Sequence, residues 1–186
     1  MEDPGIVKVT NSAIVGNFSG ERGGGIRNLA KLTVVSSTIS NNAAVEPSFS
    51  VIIPVGGGGG IHTTGRFLNT LVNSTMTQNT AVGGGGILNE PNAPAPLSIQ
   101  NTIVAGNTIL SVFGSFNAPD CFGSIISRGN NIVGDPENCN IEFLETDLFT
   151  DPRLSDFTDD GLAGNGHFPL LPDSPAINSA NPGRMP

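Results

Sequence analysis

A short polar motif recurs four times in the first 107 residues, and each copy ends in an asparagine. Every copy has an apolar residue three positions before that asparagine. The copies are Asn11–Asn17, Ser36–Asn42, Asn73–Asn79 and Asn101–Asn107, and their last residues are 25, 37 and 28 positions apart. A proline-containing insertion, about Ala44 to Val55, accounts for the longest spacing, so the underlying period is about 25 to 28 residues.

A second element lies between the copies, namely a run of glycines that ends in isoleucine, as in Gly23–Ile26, Gly56–Ile61 and Gly83–Ile87. No helical periodicity separates the β-branched stretches of a unit, which argues against leucine-rich and βαβ repeats. One unit cannot bury its apolar side alone, so units must stack. The pattern predicts an all-β fold, a right-handed parallel β-helix (a solenoid). The alternative, a β-sandwich with irregular hairpins, would not require such recurrence.

Stacking places equivalent residues above one another, about 4.8 Å apart. We therefore expect two inward apolar stacks, an asparagine ladder at a turn, and glycines with positive φ before each isoleucine. The first stack is Ile26, Ile61 and Ile87; the second is Val9, Val34, Leu71 and Ile99; the ladder is Asn17, Asn42, Asn79 and Asn107.

The repeat pattern divides the chain into two parts. Residues 1–140 are predicted to form the coils, and the pattern is already running by Ile6, so we expect the natural protein to extend further upstream. From Ile141 the sequence becomes rich in Asp, Pro and Phe. Because an exposed last coil is an aggregation-prone edge, residues 141–186 are predicted to form a non-repeating C-terminal cap over it.

These motifs resemble those of two known families. The glycine runs and the apolar-x-x-Asn motif are similar to the repeats of chlamydial polymorphic outer membrane proteins, although Gly25, Gly60 and Gly86 stand where those repeats carry alanine. The second half resembles choice-of-anchor Q domain proteins, which are secreted bacterial right-handed β-helix proteins with envelope-attaching tails. The segments that carry this resemblance are Asp120–Gly123, Gly129–Asp135, Asp151–Leu154 and Leu170–Ile177. It implies that fold and a location outside the cell, and no particular reaction.

The overall charge and the cysteines narrow the partners and the compartment. The net charge of −8 repels phosphates, so nucleic acid is not an expected partner, and no apolar stretch is long enough to insert into a membrane. Cys121 and Cys139 lie 18 positions apart in a turn-rich segment. We predict a disulfide between them, which fits an oxidising compartment, with two reduced buried thiols as the alternative.

One set of side chains is a candidate binding site. Arg27 and His62 follow the inward isoleucines at the same offset, with Arg66 nearby. Facing outward, they could bind uronate carboxylates, and one could act as base in a β-elimination. No acidic residue flanks them at matching offsets, and Glu21 and Glu90 are the nearest in sequence. Two solvated surface side chains are the simpler interpretation.

Two weaker signals concern calcium and flat binding faces. Asp156, Asp159 and Asp160 lie in a glycine-containing segment that could wrap Ca²⁺, although a hydrogen-bonded turn is the commoner outcome and no other metal or cofactor is expected. Carbohydrate binding is disfavoured by the absence of Trp and Tyr. An ice-binding face would need a longer threonine array than Thr33, Thr70 and Ser98 provide.

Together these features predict a non-catalytic module that is displayed on a cell surface or outside the cell. We expect a structural or adhesin-like role, with polysaccharide or another copy of the chain as partner and with self-association end to end. The rival prediction is a polysaccharide lyase or hydrolase. Its site would lie around His62, in the insertion 44–55, or in coils outside this sequence.

Overall fold

The structure is a computed structural model, and it describes residues 5–45, 57–91, 93–110, 119–162 and 164–180. Most of the proline-containing insertion therefore lies outside the described residues, and with it the suggestion of an active site there. The described residues form short strands and no helix. Every pairing between named strands is parallel, so the fold is all-β, with parallel strands in curled sheets that are consistent with a β-solenoid.

Three sheets run along the molecule, and the chain visits them in a fixed order. The first arm of the nine-stranded sheet contains β1 (Ile6–Thr10), β5 (Lys31–Val35), β9 (Asn69–Val72), β13 (Leu97–Gln100), β16 (Cys121–Ser127) and β18 (Cys139–Glu142). Its second arm contains β4 (Ile26–Asn28), β8 (Ile61–Thr63) and β12 (Ile87–Asn89), and the arms meet in β16.

The other two sheets are narrower. The five-stranded sheet contains β2 (Ala13–Val15), β6 (Thr38–Ser40), β10 (Thr75–Thr77), β14 (Ile103–Val104) and β17 (Ile132–Val133). The four-stranded sheet contains β3 (Phe18–Ser19), β7 (Ala43–Ala44), β11 (Thr80–Ala81) and β15 (Thr108–Ile109). Strands β1 to β4 make up the first repeat, β5 to β8 the second and β9 to β12 the third.

The predicted apolar stacks are confirmed by the strand register. Ile26 pairs with Ile61, which pairs with Ile87, and Cys121 extends this stack by one strand. The second stack, Val9, Val34, Leu71 and Ile99, is also in register. Most of these side chains are fully buried in one hydrophobic cluster, and each aliphatic side chain of this size stabilises the fold by about 1.5–3 kcal/mol when it leaves water.

Left-handed residues turn the chain at the same three places in each repeat. Gly23, Gly58 and Gly84 have φ of +65°, +68° and +59°, which confirms the predicted corner before each isoleucine. The sequence does not show the other two corners as clearly, because asparagine, serine and glutamine also occupy them. These residues are Asn11, Ser36, Asn73, Asn101 and Asn130 at one corner, and Gly16, Asn41, Gln78 and Gly106 at the other. Asparagine tolerates this conformation better than most residues do.

The predicted asparagine ladder is present and continuous. The backbone N–H and the Nδ2 group of each asparagine donate to the Oδ1 atom of the next, over 2.9–3.1 Å. The glycine before each isoleucine makes room for it: a Cβ atom on Gly60 would lie 3.1 Å from Nδ2 of Asn79, and one on Gly86 would lie 2.8 Å from Nδ2 of Asn107. A Cβ atom on Gly60 or Gly86 would also lie 2.8 Å or 2.5 Å from a backbone carbonyl oxygen of the next repeat, so glycine is favoured at this position.

Buried carboxylates end two ladders of this kind. Oδ1 of Asp120 accepts both donors of Asn107, and its Oδ2 accepts the backbone N–H of Asp135. Burial raises the pKa of Asp120, although these hydrogen bonds oppose the shift. At another corner a shorter chain of the same bonds runs from the N–H of Thr102 to Oδ1 of Asn131 and ends where Asp147 accepts both donors of Asn131. The sequence signals neither role.

The C-terminal segment leaves the last repeat and returns to the first. Leu148 still bridges to Ile132, but the chain then forms two antiparallel bridges, Leu154 to Leu170 and Thr158 to His167. At the tip of this hairpin, a Cβ atom on Gly164 would lie 2.1 Å from the carbonyl oxygen of Asn11. The hairpin therefore reaches back alongside the repeats. The division into coils to residue 140 and a cap from 141 remains a prediction, and β18 spans that boundary.

Candidate functional site

The predicted row of Arg27, His62 and Leu88 lies in register on the outer face of the second arm, and Phe122 extends it. Its members differ in exposure. The side chain of Arg27 is 49% exposed, whereas His62 is completely buried. The expectation that both face solvent is therefore wrong for His62. Strand alternation places a residue on the outer side of a sheet, but what packs over that side decides its exposure.

Glu90 joins His62 to an arginine from the first repeat. Its Oε1 atom lies 3.1 Å from Nε2 of His62 and 2.7 Å from Nη1 of Arg22. Glu90 directly follows β12, and Arg22 precedes the glycine corner that leads into β4, so stacking brings together residues 68 positions apart. A separate, more exposed ion pair joins Arg27 to Glu21 over 3.4 Å. The sequence identified Glu21 and Glu90 only as the nearest acidic residues along the chain and did not predict these contacts.

The environment of His62 keeps its ring neutral. Burial lowers the pKa of His62 and outweighs the attraction of Glu90, while Arg22 lowers it further. Within the described residues, Nδ1 is buried and finds no hydrogen-bond partner. We assign the proton to Nε2, where it is donated to Glu90, because the carboxylate that pairs with Arg22 can only accept a hydrogen bond. A ring with no exposed nitrogen is not placed to take a proton from a substrate.

Arg66 does not join this cluster through any ion pair of the described residues. It lies exposed in the turn between β8 and β9. Three carboxylates within reach of His62 or Arg66 would favour an enzyme, but Glu90 is the one carboxylate that contacts either residue in the described part of the chain. Hydrolysis by an acid and a base needs a second carboxylate at a defined separation. The described surface offers no such pair here.

The calcium candidates lie at the hairpin tip and serve turns there. Oδ1 of Asp159 accepts the backbone N–H of Gly161, and Asp160 accepts the N–H of Leu162 and the side-chain amide of Asn165. The hydrogen bond from Asn165 lowers the pKa of Asp160. The backbone carbonyl of Asp156 accepts a hydrogen bond from the hydroxyl of Thr158. Across the described ranges no three His, Cys, Asp or Glu side chains converge as a metal site would require. Calcium binding stays a prediction.

Cys121 and Cys139 form a disulfide, with their Cα atoms 5.1 Å apart. Cys121 is the last residue of the isoleucine stack, and Cys139 begins β18 and packs against the same core. The bridge therefore ties the final strand of the nine-stranded sheet to the hydrophobic interior. Closing a loop of this size stabilises a fold by about 3 kcal/mol.

Thr33, Thr70 and Ser98 lie in one row on the first arm, as their offsets predict. Thr33 and Thr70 are half-buried and Ser98 is buried, so the row does not present a flat array of hydroxyl groups to solvent. Lys8 lies at one end of this row and Glu142 at the other.

Comparison with known proteins finds no matching family model, no matching curated protein and no matching solved structure. The resemblances that the motifs suggest therefore stay predictions. In the described ranges, no helix has the length and hydrophobicity needed to cross a membrane.

Proposed function

We propose that this chain is a non-catalytic module built as a right-handed parallel β-helix with a non-repeating tail. Its role is structural or adhesin-like, on the surface of a cell or outside it. The observation that carries the proposal is the asparagine ladder. The ladder asparagines bond one another through their side chains, and those of Asn42, Asn79 and Asn107 are buried, so they hold the stack together and are not available to a substrate.

The outer face supports the same conclusion. The charged side chains near His62 contact one another. Glu90 bonds both Arg22 and His62, and Glu21 bonds Arg27. A catalytic base needs an accessible lone pair. On this face Arg22 and Arg27 are ion-paired and the ring of His62 is buried against Glu90, so these side chains support a structural role.

The disulfide supports a location outside the reducing cytosol. Disulfides form and persist in oxidising compartments, and this one joins the last strand to the core, where reduction would loosen the end of the stack. The resemblance to secreted envelope-attached proteins is in agreement.

A polysaccharide-acting enzyme is the second candidate, and one observation favours it. Two arginines, Arg22 and Arg27, lie close to His62 and Glu90, and arginine, histidine and carboxylate side chains are the groups that bind and process acidic sugars. A smooth carbohydrate- or ice-binding face has less support, since the row of Thr33, Thr70 and Ser98 is largely covered.

The test is incubation with a panel of acidic polysaccharides while ultraviolet absorbance reports unsaturated products and a reducing-sugar assay reports hydrolysis. We expect the wild type to give neither unsaturated products nor new reducing ends. Co-sedimentation with the same polysaccharides separately measures binding without cleavage. Arg27→Ala and His62→Gln are assayed in parallel, with Arg66→Ala as a matched exposed-arginine control. Product formation that His62→Gln abolishes and Arg66→Ala leaves intact would overturn the proposal in favour of the enzyme.

A further inference from the structure

One row of outward side chains on the first arm runs from one end of the stack to the other and ends in opposite charges. Starting from β1, it reads Lys8, Thr33, Thr70, Ser98, Ile126 and Glu142. The inward row beside it begins with Val7, which pairs with Leu32, and ends with Ile141, which pairs with Ile125. The two terminal strands therefore match: each has an aliphatic residue on the core side, followed by a charged residue on the outer side.

Both terminal strands present an open edge. Among the described strands, β1 pairs with β5 alone and β18 with β16 alone, so no described strand covers the other edge of either. Apolar side chains accompany these edges. At the β1 end, Ile6 is 74% and Phe18 is 69% exposed; at the β18 end, Leu144 is 48% and Phe149 is 47% exposed. Open strand edges beside apolar surface are sites of strand addition.

The charges at the two ends are complementary beyond this single row. Residues 5–45, which contain the first repeat and strands β5 to β7 of the second, include four basic residues and one acidic residue: Lys8, Arg22, Arg27 and Lys31 against Glu21. Around β18 the balance is reversed, with Asp135, Glu137, Glu142 and Glu145 against Arg128. The hairpin tip also brings Asp160, which bonds Asn165, close to Asn11 and so reduces the positive balance at the first repeat. The attraction between the two ends therefore comes chiefly from the end-of-row residues Lys8 and Glu142.

We propose that copies of this chain stack head to tail, with β18 of one copy adding in parallel to β1 of the next. Continuing the register of the sheet places Ile141 beside Val7 on the core side and Glu142 beside Lys8 on the outer side. The opposite charges select this contact, because joining two β1 ends or two β18 ends brings like charges together. This inference rests on the proposed structural function. Head-to-tail contacts would join several copies into a longer assembly.

Sedimentation velocity over a concentration series tests the stacking. The wild type is expected to associate reversibly and weakly, since one strand pair and a small apolar surface are buried, and to associate less when salt screens the charges. Lys8→Glu and Glu142→Lys should each weaken self-association by about fivefold or more. Arg66→Glu makes the same charge change as Lys8→Glu at a position away from both ends, and it should leave association unchanged.

Charge exchange provides the sharper test. Lys8→Glu carries two glutamates at the contact positions and Glu142→Lys carries two lysines, so each repels itself but an equimolar mixture should associate again. The double variant, which keeps the wild-type net charge, should self-associate like the wild type. Melting temperatures check that every variant is folded, and Lys8→Gln and Glu142→Gln form a milder series if a charge reversal unfolds the chain.

A wild type that stays monomeric at every concentration overturns the inference, as does a mixture of the two reversed variants that sediments no faster than its components. Neither result bears on the non-catalytic proposal, which the polysaccharide assays decide separately. Conversely, an active enzyme that nevertheless stacks would leave this contact in place and overturn the proposed function alone.

Discussion

The inner asparagine ladder and the outer row at Arg27 belong to the same repeats, but they are built differently. In the ladder, the same residue type recurs from Asn17 to Asn107, and each member bonds the next in the same way. In the outer row, Arg27 and His62 are followed by Leu88 and Phe122, and His62 is buried while Arg27 is not. One register fixes both sets of positions.

The difference shows where stacking constrains the side chain itself. An interior asparagine must fit the residues above and below it, and any other side chain would leave buried donors and acceptors unpaired. At an outer position, the side chains that pack over the sheet determine which residue fits, and these side chains differ from one repeat to the next. The ladder is therefore the structural part of the molecule, and the outer face is where one copy of the repeat can differ from another.

The largest effect is expected from the centre of the ladder. Asn79→Ala removes the acceptor of both Asn42 donors and leaves the carbonyl oxygens of Ile39 and Thr77 without their donor. Because several buried groups lose their partners together, we expect the free energy of unfolding to fall by about 3 kcal/mol or more, as measured by urea denaturation. Thr108→Ala, on an exposed residue directly after the ladder residue Asn107, should change it by less than about 0.5 kcal/mol.

A similar loss from both variants would contradict the comparison, since it would mean that the outer surface is as constrained as the interior. If Asn79→Ala does not fold at all, Asn17→Ala gives a milder version at the exposed end of the ladder. It removes only the hydrogen bonds that the Nδ2 group donates to Asn42 and Val15.

A smaller effect is expected where the ladder ends. Asp120→Asn keeps an oxygen for the two donors of Asn107 but turns an amide N–H₂ group toward the N–H of Asp135, so one hydrogen bond is lost. We expect a loss of about 1–2 kcal/mol in the free energy of unfolding. Amide hydrogen exchange should rise first at Asp135 and its neighbours, with the middle of the ladder still protected. Uniform exchange along the whole ladder would mean that the carboxylate is not its terminus.

The same contrast explains what sequence reasoning could reach. The isoleucine stack and the ladder were predictable because recurrence at a fixed offset is itself the signature of stacking. The positions of Asn17 in the ladder and Ile26 in the stack follow from that offset alone. The contact between Glu90 and Arg22 was not predictable, because it depends on the reach of two side chains across stacked strands. The return of Gly164 to Asn11 was hidden for a similar reason: nothing in the tail repeats, so no offset relates it to the first strand.

The smallest effect is expected on the outer face, and it is a pH dependence. The pKa of His62 is lowered by burial, so between that value and the ordinary value near 6.5 the unfolded chain binds a proton that the folded chain does not. The stability from neutral His62 is thus fully present above about pH 6.5 and is lost as the pH falls toward the lowered folded-state pKa. Urea midpoints should therefore decrease on acidification below about pH 6.5.

The chain has two histidines, which makes a matched control available. His62→Gln should flatten the pH dependence, because glutamine offers Glu90 a donor that does not titrate, whereas His167→Gln at the exposed hairpin should leave it unchanged. Working above about pH 5.5 keeps carboxylates of ordinary pKa ionised, and because burial raises the pKa of Asp120, the pH series is repeated in Asp120→Asn to remove its contribution. A pH slope that persists in His62→Gln would show that the buried ring does not report on folding. In that case the contacts of the outer row would contribute as little to stability as those of a fully solvated surface, and the difference from the ladder would be larger.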